Sequence, residues 1–171
     1  MLPKGFNYII DIWINELEKY DFNLLCIKPT PTYWSLGQVY FHLIQETKFF
    51  FEQVNVCLSN TNHQTEQKSD AAGVIFSNYD FPDEQIVGPP SNDKTPQPEN
   101  KQQLLNGLLD LKDEIITLEI LIEKSLFNGK TRHPGLNFFN AREWFMFAEI
   151  HFRHHLRQKK RIDDYLKTLN K

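Results

Sequence analysis

Apolar residues return every three or four positions in four stretches of this chain, and each stretch spans several turns of a helix. Phe6, Ile9, Ile10, Trp13, Leu17 and Tyr20 form one stripe, which predicts a first helix ending near Asp21. Leu36, Val39, Tyr40, Leu43, Thr47, Phe50 and Val54 predict a second, with Ser35 as its N-cap. A third runs from about Asn100 to Leu126, with Leu104, Leu108, Leu111, Ile115, Leu118 and Ile122 facing inward and Gly107 weakening it slightly. The fourth, from about Asn140 to Leu169, is different. Its stripe is Trp144, Phe147, Ala148, His151, His155, Gln158, Ile162 and Tyr165, so imidazoles occupy positions where leucines are expected.

Period-two alternation and hairpin dipeptides are absent, which leaves room only for a short extended piece near residues 74–81. Between the second and third helices, about residues 59–99 are rich in Asn, Ser, Thr and Pro and read as a long loop. In a bundle, a crossover of that length lets consecutive helices run parallel, whereas short connections favour antiparallel neighbours. The expected architecture is all-α, one four-helix-bundle domain over 1–171 with the long crossover between helices 2 and 3.

Composition adds a bulky interior and removes several functions. Phenylalanine occurs 14 times, which points to an aromatic core. The formal charge of −3 supplies no field that would gather nucleic acid or an anionic membrane. No secretory signal or long apolar run is evident, so the reading is cytoplasmic with no membrane partner. Cys26 and Cys57 lie far apart beside apolar neighbours and read as buried free thiols.

The candidate chemistry lies in the histidines. At about 100° per residue, His151 and His155 sit one turn apart on one face and can converge on a point. His42, on the shoulder of the second helix's stripe, faces a helix–helix seam. Together the three can form a histidine donor set with open positions, as a catalytic divalent metal requires. Gln158 and Glu46, each one turn beyond a histidine, are candidates to hold a ligand ring or a bound molecule. Trp34, Phe50 and Trp144 are candidates to line an aromatic pocket for a small-molecule substrate. His154 projects to the side, His63 falls in the polar crossover, and His133 belongs to an HPG turn. Arg153, Arg157 and Lys160 fall opposite His151 and read as a solvated face. Neither an HExxH, CxxC or GxSxG motif, nor a glycine-rich phosphate loop, nor the Glu-x-x-His pair of di-iron bundles occurs.

Two blocks resemble a known family. One is Trp34-Ser35 followed by His42-Leu43; the other is HPGLNFFNAREWFMFAEIHFRHHLRQKKRI, in which a His-Pro turn and a Glu-Trp pair precede His-x-x-x-His and a Gln. Both are similar to the DinB-like superfamily of four-helix bundles, which includes metal-dependent hydrolases and thiol S-transferases. The resemblance implies His42, His151 and His155 as metal ligands, an up-down-down-up bundle, often a homodimer, and a divalent ion such as zinc or nickel at one end of the core. It implies an enzyme acting on a small molecule, with a low-molecular-weight thiol as co-substrate in the transferase branch. The alternative is a non-catalytic, stress-related bundle that holds a metal or small ligand, or one whose histidines merely fill the core.

Overall fold

The computed structural model describes residues 5–82 and 94–169; residues 1–4, the middle of the expected crossover at 83–93, and 170–171 lie outside them. The described chain is mostly helical, in the order α1 (Phe6–Leu17), α2 (Phe22–Cys26), α3 (Leu36–Cys57), α4 (Asp70–Asn78), α5 (Lys101–Lys124), β1 (Lys130–His133), β2 (Asn137–Asn140) and α6 (Ala141–Leu169). Helix α3 packs against both α6 and α5, and α1 packs against the same two helices.

Local signals explain where the helices begin. Ser35 closes a capping box with Gln38 at the start of α3. Asn140 and Glu143 do the same for α6, each side chain accepting from the other's backbone N–H. Asn100 caps α5 by accepting from Gln103 N. The inward stripe expected for α5 is the buried one: Leu104, Leu108, Leu111, Ile115, Leu118 and Ile122. The interior is aromatic, with Phe6 set edge-on against Phe145 at 5.3 Å and Trp13 against Tyr40 at 4.9 Å. Polar atoms taken inside are paired there: Trp13 Nε1 donates to Phe152 O and Tyr40 Oη to Trp13 O.

Several expectations are corrected. The first helix stops at Leu17, and a separate short helix, α2, follows, capped by Asp21. The crossover is not loop throughout, because residues 74–81, expected to be extended, lie largely in α4. Ser69 caps a helix there and Ile75 is buried on its inner side, so local capping and burial outweigh the strand propensity of Val74, Ile75 and Phe76. The strands lie instead at 130–140, an antiparallel hairpin pairing Lys130 with Asn140 and His133 with Asn137 across the HPG turn. Four residues per strand are too few to show alternation above the background of the sequence. The hairpin holds the first part of the crossover through Ser69 N to Leu136 O and Lys130 N to Asn62 O. Of the two free cysteines, Cys57 is buried but Cys26 only partly so.

No helix among the described residues is long and apolar enough to cross a membrane.

Candidate metal centre

His42 enters from the inner side of α3, and His151 and His155 enter from α6 one turn apart. All three are buried. Their Nε2 atoms meet: His42 Nε2 lies 3.2 Å from His151 Nε2, and His155 Nε2 lies 3.0 Å from the same atom. Donor atoms of all three histidines lie within 4.8 Å of one another, close enough to hold one metal ion. Two nitrogens bonded to one tetrahedral ion at about 2.0–2.1 Å stand about 3.3–3.4 Å apart, so only small shifts separate this arrangement from a ligand set.

The hydrogen bonds around the rings bear on which nitrogens can face a cation. His155 Nδ1 lies 2.7 Å from Gln158 Oε1, an acceptor, so that nitrogen carries the ring's proton and Nε2 presents a lone pair. Among the described residues no group hydrogen-bonds the buried His151 Nδ1. If His151 carries its proton on Nδ1, its Nε2 lone pair faces that of His155. If the proton is on Nε2, the buried Nδ1 is left as an unpaired acceptor. Each neutral assignment leaves a cost; a shared cation removes the facing lone pairs and leaves the His151 Nδ1–H without an acceptor among the described residues.

Burial sets the protonation. Loss of water holds His42 down to about 4, helped by the positive field of His154. Desolvation, reinforced by the mutual repulsion of the imidazoles, pushes His151 and His155 well below the ordinary histidine value. All three are therefore neutral near pH ~7, the form that binds metal.

The surroundings are apolar on most sides. Trp34 leans on His42 with ring centres 4.8 Å apart, Phe50 packs edge-on against His151 at 5.6 Å, and Phe81 stands 6.5 Å from His151. A cleft of about 200 Å³ reaches His42 between Phe41, Gln45, Glu46, Lys94, Thr95 and Pro96. Burial raises the Glu46 carboxyl above the usual carboxylate range. A slightly larger cleft between α3 and α5, lined by Ile44, Lys48, Gln103 and Gly107, touches none of the histidines.

The other candidates are distributed as follows. Gln158 touches His155, and Trp34 touches His42. Trp144 touches none of the three in the ring contacts: it lies tilted against Phe50 at 5.6 Å, and its indole N–H is given to Thr131 Oγ1 at 2.7 Å. His63 is exposed and rests on Phe138, while His133 sits at the hairpin turn against Trp144 and Phe147. The expectation of a solvated face at Arg153 and Arg157 is corrected, because both guanidiniums are partly buried in ion pairs, Arg153 with Glu149 and Arg157 with Asp80. Lys160 alone of that trio is exposed. Sequence reasoning missed Glu149, fully buried on α6, and Phe81 in the crossover. Glu149 gave no signal, since a lone acid in a charged helix reads as surface.

No family model, curated protein or solved structure matches this chain.

Proposed function

We propose that the chain is a DinB-like, up-down-down-up four-helix bundle whose His42, His151 and His155 bind a divalent ion, zinc or nickel, and that it is a metal-dependent enzyme. In this reading it transfers a small thiol to a small-molecule substrate or hydrolyses one. The observation that supports the reading is the convergence of three buried, neutral imidazoles from two helices on one point.

When bound, a divalent ion is a Lewis acid that lowers the pKa of a thiol or a water to near neutrality. The chain's own residues do the rest. Gln158 fixes the Nδ1 proton of His155 and keeps Nε2 available. Trp34 and Phe50 exclude water from the rings of His42 and His151, which strengthens electrostatic effects at the site. Glu46, in the cleft beside His42 and with its carboxyl raised by burial, is placed to hold or release a proton for a group lodged there.

The test is to purify the chain without a nickel column, quantify metal by mass spectrometry, and assay thiol conjugation and ester cleavage in wild type and His151→Ala. The expected result is one ion per chain, with metal and turnover both lost in the variant. Metal without turnover on any substrate class favours the non-catalytic binding protein. No stoichiometric metal under any supply refutes the site.

A further inference from the structure

Three successive residues of the crossover, Tyr79, Asp80 and Phe81, are held by one face of α6. Glu149, Arg153 and Arg157 lie four residues apart and so stack along that face. Tyr79 Oη donates to Glu149 Oε2 at 2.5 Å, and Arg153 donates through Nε and Nη2 to Glu149 Oε1 at 3.0 and 2.7 Å while lying over the Tyr79 ring. Arg157 Nη1 donates to Asp80 Oδ2 at 2.5 Å, and its Nη2 to the carbonyl of Phe81 at 3.2 Å. Tyr79 itself takes a left-handed backbone, φ 54°, costly for a residue with a Cβ and here the turn that ends α4. These contacts fix the backbone on which Phe81 stands. The partly buried ring lies 4.9 Å from His154, 5.4 Å from Phe147 and 6.5 Å from His151.

Phe81 packs on the edge of the core against Phe147, and the clamp sets where its ring stands beside the histidines. We propose that Phe81 is a specificity residue that receives the apolar part of the substrate next to the histidine cluster, with Arg157 and Glu149 as positioning residues acting through it. This rests on the metal-site reading above and deepens it by naming the substrate class: a molecule whose reacting group carries an alkyl or aryl arm. The clamp acts on the wall: Glu149 is bonded to Tyr79 and Arg153, and Arg157 to Asp80, the Phe81 carbonyl and His154.

The test loads the full chain with Co(II) and titrates straight-chain alkanethiols of two to six carbons, following the near-ultraviolet sulfur-to-cobalt band. In wild type, affinity is expected to rise up to about fourfold per added methylene as the chain is buried against Phe81. Phe81→Ala keeps the cobalt and the band but loses most of that dependence, whereas Phe81→Leu retains it. Arg157→Met flattens the dependence with cobalt still bound, and Arg157→Lys recovers part of it. An unchanged chain-length dependence in a fully loaded Phe81→Ala overturns the proposal. So does loss of cobalt from that variant, since Phe81 would then be packing that builds the histidine cluster. Wild type that takes up no cobalt sinks the metal reading itself, and that result is seen before any variant is made.

Discussion

Acidification of the metal-free protein probes the buried histidine cluster directly. His42 is held down to about 4, and His151 and His155 are held well below the ordinary value, all chiefly by desolvation. In the unfolded chain each returns to 6.5. Between these values the unfolded state binds more protons, so stability is fully present above the unfolded pKa and falls as pH drops towards the folded one. One such group gives a slope approaching ~1.4 kcal/mol per pH unit, and the other two steepen it. Going from about pH 7 to about pH 5, His42 alone removes about 2 kcal/mol, and His151 and His155 add to the loss in the same direction, against a total stability of ~5–15 for a domain. The assay is urea unfolding of chelator-treated protein at stepped pH, repeated for His151→Leu. That variant is expected to lower the slope, which separates the histidines from carboxylates titrating in the same range. A wild-type slope below ~1 kcal/mol per pH unit in this window, with a constant m-value, refutes the claim that these imidazoles are buried and neutral.

Two further outcomes follow from packing and charge. Lys159 is buried among Glu16 Oε2 at 2.9 Å, Tyr20 Oη at 2.8 Å and Asp163 Oδ2 at 2.6 Å, so Lys159→Met removes the cation shared by two partly exposed carboxylates, of which Glu16 keeps Lys19, and is expected to cost about 1–3 kcal/mol by chemical denaturation. The Tyr20 hydroxyl, raised to about 12 by burial and its bond to Asp163, stays protonated in both proteins. At Gly37 an added Cβ would lie 2.9 Å from the carbonyl of Leu25 and 3.0 Å from Pro98 Cγ, and a backbone oxygen has little room to move. Gly37→Ala is therefore expected to destabilise by about 1–3 kcal/mol, against the usual gain in helix propensity, as read by thermal unfolding.

Some of this was legible in advance for a physical reason. The stripes of α1, α3, α5 and α6 are long, and the moment of a helix accumulates with each turn, so the inward positions from Leu104 to Ile122 follow from the spacing alone. The cap at Ser35 is a property of a few neighbouring residues and was legible too. Helix α4 and the hairpin were not, being nine and four residues long, where propensity and context compete on equal terms. Phe81 and Glu149 became visible only because the crossover folds back on α6, bringing together Tyr79 and Glu149, 70 residues apart.

Sequence by itself determined what depends on the local period of the chain: the long helices, their inward faces, and the pairing of His151 with His155 one turn apart. Tertiary structure alone decided that His42, 109 residues before His151, brings its Nε2 to the same point. Helical spacing sets the azimuth of a side chain on its own helix and says nothing of which neighbour that helix will face. Packing of α3 against α6 supplies that choice, and with it the desolvation that keeps the three imidazoles neutral.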